Sequence, residues 1–179
     1  MKESKVLAFV SNDFEDLEVW YPVLRLREAG VRVDVAGEEK EKEYTGKQGL
    51  TITAEVSFND VNYFDYDGIL VPGGWAPDTL RQIPKVLEIV RYFNDERKII
   101  GQICHAGWVL LSAGILKGVN VTSVAAIKDD MINGGANWVD KSVVVDGHII
   151  SSRRPPDLPD YMKDYIEVLK IHVNKNATN

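Results

Sequence analysis

The stretch Lys98-Ile99-Ile100-Gly101-Gln102-Ile103-Cys104-His105-Ala106-Gly107-Trp108-Val109-Leu110-Leu111-Ser112-Ala113-Gly114 decides the fold. Lys98 to Ile103 is a short, nearly continuous apolar run, the pattern of a strand buried on both faces of a parallel sheet. Ala106 to Ala113 then reads as a helix that Gly114 closes. Only Cys104 and His105 separate the two, with small residues on either side. A strand that passes so abruptly into a helix lifts the intervening side chain clear of the sheet, which is the geometry of a nucleophile elbow. The turn also puts the thiol at a helix N-terminus, where the dipole favours thiolate. The plain alternative is that Cys104 is a small buried apolar residue.

Working outward, the same alternation recurs. Lys5–Val10 is a buried strand, Leu17–Ala29 a helix ended by Gly30, and Val31–Ala36 a second strand. Leu17, Val19/Trp20, Val23/Leu24 and Leu26 form the apolar stripe of that helix. Gly37–Lys47 is a charged surface loop or hairpin, and Leu50–Phe58 a further strand. Asp67–Val71 is a buried strand stopped by Pro72-Gly73-Gly74, and Ala76–Gln82 and Lys85–Arg97 are helices parted near Pro84. Beyond the elbow, Val119–Ser123 is a short strand and Ile127–Ile132 a short helix. Trp138–Val145 and His148–Ser152 flank the hairpin signal Asp146-Gly147. A last helix spans about Asp157–His172, with a polar, frayed tail over about 173–179. Strands alternating with helices predict an α/β three-layer sandwich, a mostly parallel sheet with helices on both faces, in one domain over 1–179.

Composition agrees. A chain of 179 residues buries about 70% of its unfolded surface, enough for a core without disulfides or metal. The net charge of −6 argues against phosphate-driven nucleic-acid binding, and one cysteine excludes a disulfide and a multi-cysteine zinc site. His148 and His172 do not stand at metal-ligand spacing. The N-terminal apolar run is too short for a signal peptide or a membrane span, so a cytoplasmic protein without membrane contact is expected.

In parallel sheets function gathers at the carboxyl ends of the strands. That rule selects Asn12–Asp16, Pro72–Asp78 and Cys104-His105. Gly73-Gly74 lets backbone N–H groups turn toward a ligand, as an oxyanion hole requires, although a tight turn alone would explain the glycines. Glu15, held protonated beside the thiol, would donate to the Cys104 thiolate and lower its pKa. Asp16 and Glu18 read as helix N-terminal charges. Trp75 and Trp108 flank the proposed cleft. Adjacent side chains diverge on a turn, so Glu15 and the helix terminus are expected to act on the thiol more than His105 does.

Five segments in order carry a family resemblance: Asn12–Glu18, Leu70–Asp78, Ile103–Gly107, Ile127–Asn133 and Ser151–Asp157. From Lys5 to about Lys170 the chain resembles the PfpI family of intracellular cysteine peptidases and protein deglycases, within the class I glutamine amidotransferase-like superfamily. The resemblance implies a flavodoxin-like sandwich, Cys104 as nucleophile, His105 as its base and Glu15 against the thiol. It also implies an oxyanion hole from the backbone N–H groups of Gly74 and His105, with Gly73, Trp75 and Trp108 lining the cleft. It further implies a homo-oligomer (dimer, trimer or hexamer) in which Asp78 reaches His105 across an interface. No cofactor is implied. Two positions depart from the family pattern: Asp78 stands where Glu is frequent, and Val124-Ala125 where a Tyr-Pro pair is usual.

The function this predicts is cysteine-dependent hydrolysis of peptide bonds or of glycation and methylglyoxal adducts on proteins. The alternative is a stress protein that senses oxidants through an exposed, low-pKa cysteine without turnover. An amidotransferase would need a downstream His-x-Glu pair, and a nucleotide-binding module a glycine-rich phosphate loop; neither is in the sequence.

Overall fold

The computed structural model describes residues 4–177. Its elements are β1 (Lys5–Phe9), α1 (Asp16–Glu28), β2 (Arg32–Gly37), β3 (Glu43–Thr45), β4 (Thr51–Thr53), β5 (Val56–Ser57), β6 (Gly68–Val71), α2 (Ala76–Leu80), α3 (Pro84–Asp95), β7 (Ile99–Ile103), α4 (Gly107–Ala113), β8 (Asn120–Val121), α5 (Lys128–Asn133), β9 (Asn137–Trp138), β10 (Val143–Asp146), β11 (Ile149–Ser152) and α6 (Leu158–Ala177). Seven strands form the central sheet in the order β10-β11-β7-β6-β1-β2-β5. All neighbours in it run parallel except β10, which pairs antiparallel with β11. The turn between them is Gly147-His148, one residue beyond the expected Asp146-Gly147, because Asp146 is still in the strand and pairs with Ile149. Helices α1 and α6 pack together over one face, and α3 and α4 with α2 over the other. This is the three-layer sandwich expected of the alternating pattern.

Burial explains the central strands. Every residue of β6, β7 and β11 is buried, as the unbroken apolar runs demand. Small residues in the sheet make room for α6: a Cβ on Gly101 would strike the Tyr161 hydroxyl, and one on Gly68 that of Tyr165. Tyr165 donates its hydroxyl to the Ile69 carbonyl at 3.2 Å. Among the described residues no helix is long and apolar enough to cross a membrane.

Four local expectations are corrected. Leu50–Phe58 is two strands: β4 pairs with β3 in a separate ribbon, and the chain then crosses at Ala54-Glu55 to join β2 as β5. The ribbon's other strand, β3, lies in Gly37–Lys47, as the hairpin reading of that segment expected, and is anchored by Tyr44, which is 2% exposed. Trp138–Val145 also divides, because Asn137-Trp138 pairs parallel with β8 while only Val143–Asp146 joins the main sheet. In α1 the buried stripe is Glu18, Val19, Pro22, Val23 and Leu26, whereas Leu17 and Leu24 are 52% and 56% exposed. The last helix runs on to Ala177, held by buried Val173 rather than fraying there.

Candidate active site

Three loops meet at the carboxyl ends of β1, β6 and β7. The first two lie where the strand order reverses direction, the position at which open α/β sheets leave a crevice. They are stitched together by an antiparallel bridge between Phe14 and Gly74. Glu15 N–H donates to the Gly73 carbonyl at 3.3 Å and Trp75 N–H to the Asp13 carbonyl at 2.8 Å. Gly74 has φ +71°, and a Cβ there would collide with the backbone of Phe14-Glu15. Glycine is therefore required twice over, by conformation and by close approach.

Cys104 follows β7 with φ +62°, the left-handed region a side chain rarely adopts. A single 3-10 turn, Cys104–Ala106, then leads into α4. Strain of about 1–2 kcal/mol is expected for such a residue, and it persists here because β7 and α4 are both packed into the core. The backbone N–H groups of His105 and Gly74 face the sulfur and favour its thiolate. The side chain is 8% exposed. His105 does not diverge: Nδ1 lies 3.4 Å from Sγ. The left-handed turn at Cys104 brings the two neighbouring side chains together. The imidazole is packed between Trp75 and Trp108, with ring centroids at 5.3 and 5.1 Å. Burial, with Lys47 nearby, lowers its pKa, so the ring is neutral near pH 7.

The acid beside the thiol is Glu18, and this corrects the expectation for Glu15. Glu15 is the N-cap of α1; its Oε2 accepts the Glu18 N–H at 3.1 Å. Glu18 lies one helical turn further on, 3% exposed, and its Oε2 accepts the Gly73 N–H at 2.9 Å. Its Oε1 has no nitrogen or oxygen partner, and the polar group the carboxyl meets there is the Cys104 thiol. Burial, reinforced by Glu15, pushes the Glu18 carboxyl up to about 8. Burial and Glu18 push the thiol up to about 12, against the pull of the two N–H groups. The resting pair is thus a protonated acid beside a protonated thiol, where the sequence suggested a ready thiolate. A protonated Glu18 exerts no charge repulsion on sulfur, so its proton is the condition under which the thiol ionises most easily.

The cleft above Cys104 has a volume of about 250 Å³ and is lined by Glu15, Glu18, Lys47, Gly74, Trp75, His105, Val124, Arg154 and Pro155. Val124 contributes methyl groups where the family pattern has a tyrosine. Gly73 lies buried beneath, because a Cβ there would meet Glu18 and come within 2.6 Å of Cys104 Cβ. Trp108 backs His105 from outside: its Nε1 donates to Asp130 at 2.9 Å, and it lines a neighbouring depression with Trp75 and Asp78 rather than the cleft itself. Asp78 is exposed there, and within its own chain it makes no contact with His105. Among the described residues no group of three or more His, Cys, Asp or Glu side chains is placed to hold a metal ion.

Three residues of the site were not singled out from the sequence: Glu18, Lys47 and Arg154. Glu18 carried a signal, since it shares the spacing of Pro22 and Leu26 on the buried face of α1. Arg154 lay in the family-like segment Ser151–Asp157 without being assigned a role, and Lys47 carried no signal. Asp16, read as a dipole charge, has a different task. It is 2% exposed and accepts Gln48 N–H and Leu50 N–H, both at 2.8 Å, clamping the turn that carries Lys47. Asp16→Ala should cost about 2 kcal/mol by leaving two donors unmatched. Hydrogen exchange should accelerate at Gln48 and Leu50; unchanged protection there would mean Asp16 does not hold the turn.

Residues 4–168 match the family model described as DJ-1/PfpI family. The chain belongs to the DJ-1/PfpI family. It is 43% identical to "Deglycase PfpI" of Pyrococcus furiosus over 166 residues, 93% of this chain and 99% of that one. It is 37% identical over 166 residues, again 93% of this chain and 98% of the other, to YraA of Bacillus subtilis, which is named as a candidate cysteine protease. Among solved structures, a two-domain protein from Anabaena variabilis with DJ-1/ThiJ/PfpI-like and ferritin-like domains superposes with a TM-score of 0.92 at 32% identity. The match covers 94% of this chain and 48% of that one. DJ-1 of Schizosaccharomyces pombe, at 22% identity, shares the flavodoxin-like fold with a TM-score of 0.84 over 96% of this chain and 97% of that one.

Proposed function

We propose that this DJ-1/PfpI family member is a cysteine-dependent hydrolase that removes dicarbonyl adducts from protein amino and thiol groups. The observation that carries the reading is the convergence on one sulfur of His105 Nδ1, two backbone N–H groups and the buried Glu18 carboxyl. Relatives named as deglycases support the same reading.

The chemistry follows from the protonation states. As Sγ attacks the carbinol carbon of an adduct, the thiol proton passes to neutral His105 Nδ1. The S–C bond forms, the C–N or C–S bond to the protein breaks, and His105 returns the proton to the leaving group. The resulting hemithioacetal transfers a proton to the adjacent carbonyl carbon. One carbon is oxidised to a thioester as its neighbour is reduced to a hydroxyl, so no external oxidant is needed. Neutral His105 takes the C–H proton while Glu18, still protonated near neutral pH with its carboxyl pushed up to about 8, gives its own to the carbonyl oxygen; as the enediol collapses, His105 protonates the second carbon and Glu18 recovers its proton from the first hydroxyl. Gly74 and His105 N–H groups, released from sulfur, hold the developing oxyanion. Water then cleaves the thioester to a hydroxy acid and the free thiol. An unactivated peptide bond would ask more of His105, which has no carboxylate partner among the described residues of its own chain. The oxidant-sensing alternative requires an exposed, low-pKa thiol; Cys104 is buried and its thiol is pushed up.

The test is turnover on a methylglyoxal-treated peptide and on a panel of unmodified peptides in parallel. Repair of the treated peptide alone supports the reading. Cleavage of the unmodified panel alone would replace it with a peptidase.

Asp78 enters as a partner's residue. We propose a homo-oligomer that seats Asp78 of one protomer against His105 of the next, over the depression that Trp75, 57% exposed, shares with Asp78. Size-exclusion chromatography coupled to assay should place all activity with the oligomer. A fully active monomer would exclude a shared site.

A further inference from the structure

Two cations border the cleft without an ion-pair partner among the described residues. Lys47 rides on the turn clamped by Asp16, with its N–H bound to the Phe14 carbonyl at 2.9 Å. It acts electrostatically on both Glu18 and His105. Arg154 follows β11 in extended conformation, with φ −159°. Its neighbour Arg153 is consumed by Asp140 at 2.9 Å and Asp157 at 2.8 Å. Among the described residues neither Lys47 nor Arg154 makes a salt bridge, and both line the cavity that contains Cys104 and His105. The lining acids leave a positive balance: Glu18 is protonated near neutral pH, so the two cations face Glu15 alone, whose Oε2 accepts the Glu18 N–H at 3.1 Å.

From this arrangement we infer that the substrate's carbonyl compound carries a carboxylate, held between Lys47 and Arg154 while its carbonyl end meets Cys104. The inference rests on the adduct-hydrolase reading and names its substrate class: adducts of small dicarbonyl acids. An unpaired guanidinium offers a planar fork matched to carboxylate, and a lysine adds a mobile point charge. The cavity, about 250 Å³, has room for the small acid of the adduct. Val124 closes one wall with methyl groups, so orientation falls to the two cations.

Two readouts test this separately from turnover. The first compares alkylation of Cys104 by iodoacetate and by iodoacetamide. In both, sulfur displaces iodide from a CH2 group, and only iodoacetate is charged. The ratio of the two rates cancels changes in thiol ionisation and access. It should fall about tenfold in the Lys47→Gln/Arg154→Gln double variant, in smaller steps in each single variant, and with added salt in the wild type. Lys47→Arg and Arg154→Lys should keep most of it, which separates charge from misfolding. The second readout compares kcat/KM for peptides treated with 4,5-dioxopentanoate and with methylglyoxal, which share the dicarbonyl. The acid should be preferred by about tenfold, and the double variant should lose that preference. An alkylation ratio unmoved in the double variant would overturn the inference even if adducts are repaired. A ratio that falls while no peptide is turned over would keep the anion subsite and overturn the adduct-hydrolase reading instead.

Discussion

Cys104→Ser should lower turnover at least a thousandfold while leaving the fold intact. The hydroxyl that replaces the thiol keeps an acceptor for the Gly74 and His105 N–H groups, so little stability is at stake. Chemistry is another matter. The C–O bond is shorter than C–S, which draws the nucleophile back from His105 Nδ1, already 3.4 Å away in the wild type. A serine hydroxyl is also far less acidic than a thiol, and among the described residues of its own chain no acid strengthens His105 as a base. Backbone strain at φ +62° is unchanged by the substitution, so a melting temperature near that of the wild type would show that only the nucleophile was lost. Retention of more than a few per cent of turnover would remove Cys104 from the centre of the mechanism.

The second large effect is on stability and concerns Glu18→Gln across pH. A carboxyl at about 8 in the folded chain and near 4.5 in the unfolded one binds its proton more tightly when folded, by on the order of 5 kcal/mol if fully expressed. The sign follows directly. Glu18 contributes this stability fully below about pH 4.5 and loses it as pH rises through about 8. Glutamine cannot titrate. Relative to Glu18→Gln, the wild type should therefore lose stability steadily between pH 5 and 8. Taking the difference matters, because His105 and His148, both lowered by burial, tilt the absolute curve the other way below about pH 6.5. Urea unfolding of both proteins at several pH values measures it. A constant difference would mean that Glu18 is ionised in the folded protein, and its part as a proton carrier would fall. Glu18→Leu should be the more damaging change, since it leaves the Gly73 N–H without its acceptor.

Much of the molecule was legible in the residue order. The buried strands Lys5–Phe9, Gly68–Val71 and Ile99–Ile103 are apolar runs that no amphipathic helix would tolerate. Cys104 between strand and helix announced a strained elbow, and the elbow is there. What misled was phase. Each helical residue turns the side chain by about 100°, so three residues decide whether an acid caps α1 or faces sulfur. Glu15 and Glu18 are equally acidic in sequence; only the docking of α1 on the sheet distinguishes them. The divided strands failed for a related reason. Alternation is satisfied equally by one strand or by two that change partners, and the partner of Thr51–Thr53 lies in Glu43–Thr45, not in the run itself.

The sequence by itself thus determined the layered α/β architecture and the residue that sits at its elbow, because both rest on local hydrophobic period and local turn chemistry. The tertiary structure alone decided the company that residue keeps. Glu18, Lys47, Gly74, Val124 and Arg154 come from five separate segments of the chain. They share a cleft because parallel strands deliver their following loops to the same edge of the sheet, and because Asp16 clamps one turn while Arg153 spends its charge elsewhere.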